Sequence, residues 1–222
     1  MSKLLCAGEV AFDVGVFLGL YTAFLSKMVG ERGVVHSFEP NGELLPSLNR
    51  TAKSLKNVWI HPVALSDKPG EATLFVPSDD ASMASLLKWT DESGSEIDQV
   101  TCKTQRLDDL VHDGKVPLPD FIKCDVEGTE LSVFNGAEQT LNRKDAPIIM
   151  FEVNPKAMKA NGNDADSCFR FLGALENPHY SFFEVLENRI TPVSGLACLH
   201  FNAYGFTNAI AVPDSKLGKL AE

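Results

Sequence analysis

FDVGVFLGLYT, residues 12–22, decides the fold. It begins as an apolar strand and passes through a turn holding Gly15 and Gly19. It continues as LYTAFLSKMVG, whose apolar residues recur at helical spacing and which ends on Gly30, a helix stop. Strand–turn–helix units open doubly wound sheets, and in such sheets ligands sit beyond the carboxyl ends of the strands, near the first turn. Two phosphate-binding versions do not fit. Counted from Gly15, the second and third glycines of a dinucleotide fingerprint fall on Phe17 and Leu20, and the bulk of Phe17 opposes the close backbone approach that a pyrophosphate needs. No G-K-[ST] follows, which removes a P-loop.

Outward from this stretch the alternation continues. GVVHSFEP reads as a second strand closed by Pro40. GELLPSLNRTAKSL reads as a helix with Pro46 awkwardly placed in its first turns, and NVWIHPVAL as a third strand. Later come the strand PDFIKCDV, the helix GTELSVFNGAEQTLNR, the strand APIIMFEV and the helix DADSCFRFLGAL. YSFFEVLE and TNAIAVP close the set, and DSKLGKLAE reads as a frayed surface tail. Strands separated by helices imply right-handed crossovers and a parallel sheet. Between them GEATLFVP and VTCKTQRL flank a polar stretch at residues 78–99, and residues 72–107 read as an inserted antiparallel strand–loop–strand segment. Such a loop is often a lid, and Met83 and Trp89 within it could touch a substrate or merely anchor the loop. The expectation is a single α/β domain over residues 1–222: a doubly wound, mostly parallel seven-stranded Rossmann-like sheet with that insertion.

Composition narrows the partners. With 20 basic and 30 acidic residues the formal net charge is -10, and the basic residues are scattered. The chain lacks the cationic footprint that nucleic acid requires. Its five cysteines form no C-x-x-C pair, which fits a reducing compartment. The apolar run in MSKLLCAGEV is too short for a signal peptide and no stretch reaches the length of a membrane span, so a cytoplasmic setting without a membrane partner is expected.

Two groups of residues can carry chemistry. Asp13, Gly15 and Gly19 lie at the first turn, and Glu39 ends the second strand, where a carboxylate can accept hydrogen bonds from ribose hydroxyls. The site is acidic and poorly equipped for phosphates. A ligand with a ribose, no phosphate and a positive centre matches it, and S-adenosylmethionine has those features. The competing reading is that the glycines serve helix–strand packing and Glu39 is a solvated strand end. On this reading of the turn, Glu39→Ala should weaken donor binding and leave the fold intact. In FIKCDVEGTEL, Asp125 and Glu127 sit two apart at a strand end, where residues share a face, and Glu152 ends the next strand. These acids can act as a general base, hold a donor ammonium, or bind a divalent cation through oxygen. No metal site is predicted. Glu130 reads as a helix N-terminal acid. His36 and His61 lie in strands and read as core or sheet-edge residues. No histidine forms a metal-binding pair, and no G-x-S-x-G elbow supports a hydrolase.

The residues taken together resemble the FkbM family of methyltransferases. FDVGVFLGLYT is similar to the family's D-V-G-A-N-x-G-x-Y-T turn, and VVHSFEPN to its second strand ending in F-E-P. NVWIHPVALSDKPGEATLFV, ASMASLL, TQRLDDLV, PDFIKCDVEGTELSVFNGAEQTL and APIIMFEV follow in family order, so the resemblance spans residues 12–153. It implies a seven-stranded methyltransferase fold, S-adenosylmethionine as co-substrate, and O-methylation of a hydroxyl on a sugar or natural product, a small-molecule acceptor. Carried over, it implies that Asp13, Gly15, Gly19, Tyr21 and Glu39 bind the donor, with Ala64, Leu65 and Asp67 near its adenine. It places Asp125 near the methionine end or the acceptor, and Asp125 and Glu127 are the catalytic candidates, with a loop residue the alternative base. The departure lies at Val16, Phe17 and Leu18, where the family usually has Ala-Asn-Ile or similar. A non-catalytic domain of the same fold is the alternative that Phe17 favours.

Overall fold

In the computed structural model, which describes residues 4–88, 96–160, 162–186 and 189–220, the opening stretch forms β1 (Val10–Val14) and α1 (Leu20–Val29). β2 (Val34–Phe38), α2 (Leu45–Leu55) and β3 (Val58–His61) follow. Pro46 falls in the first two positions of α2. There its missing N–H has no intrahelical partner to lose and its fixed φ suits the helix, so it starts α2 rather than disturbing it. β4 (Ala64–Leu65), β5 (Gly70–Pro77) and β6 (Ile97–Gln105) make a separate small sheet, with β5 and β6 antiparallel. The remaining elements are α3 (Leu107–His112), β7 (Phe121–Cys124), α4 (Glu130–Asn135), α5 (Glu138–Leu141), β8 (Ile148–Val153), α6 (Pro155–Ala160), α7 (Ser167–Gly173), β9 (Tyr180–Leu186), β10 (Arg189–Val193) and β11 (Thr207–Pro213).

The main sheet has the order β10-β9-β11-β8-β7-β1-β2-β3. β3, β2, β1, β7 and β8 run parallel, while β11 is antiparallel to β8 and β9. The expected strands are present, and β10 joins as an edge strand by a hairpin with β9. The chain winds outward from β1 to β3 and then crosses to β7 and β8, so the order reverses between β1 and β7. That switch point opens a crevice at their carboxyl ends.

Parallel strands are covered on both faces, and side-chain alternation sorts the core accordingly. Phe12, Val14, Phe38, Ile122 and Phe151 belong to one buried cluster, and Ala11, Val35, Phe121, Ile148 and Met150 to the other. Each large apolar side chain buried there contributes roughly 1.5–3 kcal/mol. His36 Nδ1 and His61 Nε2 lie 2.9 Å apart with stacked rings. Burial and the neighbouring ring push His36 down to about 4, and burial lowers His61 as well, so the two rings pair as neutral donor and acceptor.

Three sequence expectations change. The helix expected over GTELSVFNGAEQTLNR is two, α4 and α5, because a Cβ on Gly136 would lie 2.0 Å from the Ser66 carbonyl oxygen and the buried Asp108 carboxylate caps Gln139 N and Thr140 N at 2.9 and 2.8 Å. The strand VTCKTQRL stops at Gln105, and Leu107 already opens α3. The tail through Leu220 is not frayed. Lys219 Nζ donates to Glu9 Oε1 at 2.6 Å and to the Leu4 carbonyl at 3.2 Å, and Leu217 and Leu220 pack on the core. Among the described residues no helix is long and apolar enough to cross a membrane.

Candidate functional site

At the end of β1 the chain turns through three left-handed residues: Gly15 (φ 81), Phe17 (φ 49) and Gly19 (φ 83). Gly15 has no room for a side chain, because a Cβ there would sit 1.7 Å from the Asp125 carbonyl oxygen. Gly15→Ala is therefore expected to exceed the roughly 1–2 kcal/mol left-handed penalty of an L-residue, since the strand end at Asp125 must also move. Urea denaturation measures it, and a loss under about 1 kcal/mol would contradict this packing. The turn is fixed from the neighbouring strand. Phe17 N donates to Glu39 Oε2 at 2.9 Å, and Asn41 N donates to Glu39 Oε1 at 2.8 Å. Burial raises the Glu39 carboxyl, with these amide donors opposing it.

Beneath the turn lies a buried charge set built on strand register. Asp13 is opposite Ser37 on one side and Lys123 on the other. Lys123, only 4% exposed, reaches Asp125 Oδ2 at 3.1 Å, the Gly15 carbonyl at 3.3 Å and Asp13 Oδ1 at 3.9 Å, with its ammonium 4.6 Å from the centre of the Tyr21 ring. Thr22 Oγ1 donates to Asp13 Oδ2 at 2.6 Å. Because that uses the single hydroxyl proton of Thr22, Ser37 is the donor in the 2.8 Å contact between Ser37 and Thr22. Burial raises the Asp13 carboxyl, against the pull of Lys123. Burial would lower Lys123, but Asp125 and Asp13 prevail and raise it, so the ammonium keeps its charge.

The third part is a carboxyl corner. Oxygens of Asp125, Glu127 and Glu152 lie within 4.8 Å of one another. β7 ends at Cys124 and Glu127 has φ 53, so the turn, not strand alternation, brings these acids together. Burial and the Asp125 hydrogen bond push Glu152 up to about 11, while burial of Asp125 is outweighed by Lys123 and by Glu152, which hold it low. One proton thus sits on Glu152 and is donated to Asp125. Burial and the Asp125 charge raise Glu127 to about 8. Glu130 accepts from Val126 N and Gly128 N at 3.1 and 3.3 Å, yet burial still raises it to about 7.

These raised carboxyls set a pH dependence. A folded pKa above the unfolded 4.5 means that the folded state binds the proton more tightly, so the stabilisation from Glu130 is complete below about 4.5 and is lost as pH rises through about 7. The lowered His36 acts in the opposite sense below 6.5. Glu130→Gln, which keeps an acceptor for the two amides, should flatten the decline in Tm with rising pH relative to the parent. Parallel Tm–pH curves for the two proteins would refute this assignment.

A sequence profile described as the Methyltransferase FkbM domain matches residues 13–186. The chain belongs to the FkbM methyltransferase family. The hexuronic acid methyltransferase AglP of Haloferax volcanii is 31% identical over 152 residues, covering 67% of this chain and 59% of AglP. A crystal structure of an FkbM methyltransferase from Methylobacillus flagellatus aligns with a TM-score of 0.57 at 16% identity, covering 95% of this chain and 48% of that one. Aeropyrum pernix fibrillarin, solved with natively bound S-adenosyl-L-methionine, aligns with a TM-score of 0.52 at 10% identity, over 94% of this chain and 68% of fibrillarin. At such identities the structural likeness concerns the fold. The chain spans about three fifths of AglP and half of the Methylobacillus protein.

The family turn gives Phe17 a backbone explanation. Asn tolerates the left-handed region better than other non-glycine residues, and position 17 is left-handed. Phe17 holds this left-handed conformation with its amide bonded to Glu39, and its side chain lines the cleft.

That cleft has a volume of about 1000 Å³. Of the residues singled out in the sequence, Gly15, Tyr21, Glu39, Ala64, Leu65, Asp125 and Glu127 line it; Met83 lies on the inserted wall, and Trp89 falls outside the described residues. Asp13, Gly19 and Asp67 do not line it. Asp13 is fully buried beneath the turn, Gly19 precedes α1, and Asp67 accepts from Ser66 Oγ at 3.2 Å. Sequence reasoning missed Lys123, although a lysine in a buried strand two residues before Asp125 is a legible signal. It also missed the wall around Tyr204 and Phe206, for which no motif exists.

Proposed function

We propose that this chain is an S-adenosylmethionine-dependent methyltransferase that methylates a hydroxyl of a small-molecule acceptor. The observation that carries the reading is one cleft joining the Gly15 turn and Glu39 to the carboxyl corner at Asp125. The residues present fit the donor. The Glu39 carboxylate accepts from Phe17 N and Asn41 N, with the Val16 amide also directed at it, and of its roughly four acceptor positions some remain for vicinal ribose hydroxyls. Ala64 and Leu65 offer an apolar wall for an adenine. Asp125, held ionised by Lys123 and with its side chain 31% exposed, suits an ammonium. In this reading Gly15, Tyr21, Glu39, Ala64 and Leu65 hold the donor directly, while Asp13, Gly19 and Asp67 shape the loops around it. The bound donor would supply an electrophilic methyl group. The name of AglP supports the class of reaction.

The chain's own contribution is alignment and proton removal. Holding the acceptor hydroxyl in line supplies several of the roughly 7–11 kcal/mol available from positioning. Glu127 takes the hydroxyl proton when ionised, so its burial, which raises it to about 8, makes methylation increase as pH rises through that value and level off above it. Calorimetric titration with S-adenosylmethionine and S-adenosylhomocysteine tests the reading. Saturable heat and a thermal shift are expected; neither, at millimolar ligand, would leave a binding domain of the same fold.

A further inference from the structure

The segment between His200 and Thr207 forms a tight aromatic turn that the donor reading does not use. Asn202 Oδ1 accepts from Tyr204 N at 2.9 Å and Phe206 N at 3.3 Å. Asn202 N donates to the Phe206 carbonyl, and Gly205, at φ 86, closes the turn by donating to the Asn202 carbonyl at 3.0 Å. Both feet are anchored to one carboxylate. Glu184, buried in β9, accepts from His200 N at 2.6 Å, from His200 Nδ1 at 2.9 Å and from Thr207 Oγ1 at 3.3 Å. The product of all these bonds is a fixed presentation of rings. Tyr204 and Phe206 stack with centroids 6.3 Å apart and planes at 21°. Both line the cleft, and Tyr204 is 83% exposed.

A braced turn that leaves its largest ring uncovered at a cleft mouth is preorganised to receive a flat apolar face. The opposite walls say what kind. Asp80, Glu127 and Glu152 line the same cleft and accept or share hydrogen bonds from hydroxyls. The cationic residues on the walls are Lys123, whose charge is taken up by Asp125 and Asp13, and Lys156. The carboxylates of Glu39, Asp79, Asp80 and Asp125 on these walls outnumber the two ammonium groups, so an anionic ring would enter a cavity of net negative charge.

We propose that Tyr204, braced by Asn202 and Glu184, is the stacking platform of the acceptor subsite, and that the acceptor ring is an uncharged pyranose. The inference deepens the methyltransferase reading and rests on it. The C–H face of the ring lies on Tyr204, and its hydroxyl edge points to the carboxyl corner.

Ligand-observed NMR titration of the S-adenosylhomocysteine-loaded protein with methyl β-D-glucopyranoside and methyl β-D-glucuronide tests it. The glucoside should bind at least about tenfold more tightly than the glucuronide, and Tyr204→Ala should weaken it by about tenfold. Tyr204→Phe should bind it as the parent does, and S-adenosylhomocysteine affinity should be the same in all three proteins. Glucoside binding unchanged in Tyr204→Ala, or a preference for the glucuronide, overturns the platform. If S-adenosylhomocysteine binds and neither pyranoside does, this inference fails and the methyltransferase reading stands. If S-adenosylhomocysteine does not bind, both fall.

Discussion

Glu39→Gln is expected to weaken S-adenosylhomocysteine binding by about a hundredfold, which corresponds to about 2.8 kcal/mol. Two effects combine. A carboxylate facing two ribose hydroxyls makes charge-assisted hydrogen bonds of roughly 1.5–3 kcal/mol each. The glutamine also places an NH₂ donor against one of two amide donors, Phe17 N and Asn41 N, that Glu39 now satisfies. The ligand-free protein should therefore lose about 1–3 kcal/mol of stability. This corrects the simpler expectation that Glu39→Ala leaves the fold intact, because alanine would orphan both amides in a part-buried turn. Calorimetry checks affinity and denaturation checks stability. Unchanged affinity in a folded Glu39→Gln protein would remove the ribose role. Unchanged stability would mean that the turn holds its shape without the carboxylate.

Lys123→Met should lower stability by about 3–5 kcal/mol at neutral pH. That is the range for removing one partner of a buried ion pair, and methionine fills a similar volume without the charge. Asp13 and Asp125 then face each other with no cation between them. Their folded pKa values must rise above the unfolded value, so the loss should be small in acid and grow as pH increases through the carboxylate range. Adding Asp13→Asn removes one of the stranded charges and should recover part of the stability. A Lys123→Met protein as stable as the parent at neutral pH would show that the lysine is not what neutralises Asp13.

Much of the fold was legible because its determinants are local. The apolar runs around Phe12, Val35, Ile122 and Ile149 mark strands buried on both faces, and Gly30 and Pro40 punctuate them. Features that depend on distant contacts were not legible. Gly136 breaks a helix because Ser66 lies against it. Lys216 and Lys219 pin the tail to Asp120, Leu4 and Glu9, more than ninety residues away in sequence. The site followed the same division. Gly15 and Glu39 could be read from motif and spacing. The convergence of Glu127 with Asp125 and Glu152 needed a left-handed turn, and the exposure of Tyr204 needed a loop folded around Asn202.

Next to the small sheet, Ser85 Oγ donates to the Glu127 carbonyl of the carboxyl corner at 2.9 Å. Ser85 is itself tied to β5, exchanging both backbone hydrogen bonds with Phe75 at 2.8 and 3.0 Å. A molecule that displaces the inserted wall must therefore disturb the residue nominated as base. If donor and acceptor each favour one position of that wall, their affinities are linked. The factor by which a filled donor pocket tightens acceptor binding must equal the factor by which the acceptor tightens donor binding. Ser85→Ala would then reduce both by the same ratio, a reciprocity that two independent titrations can weigh against each other.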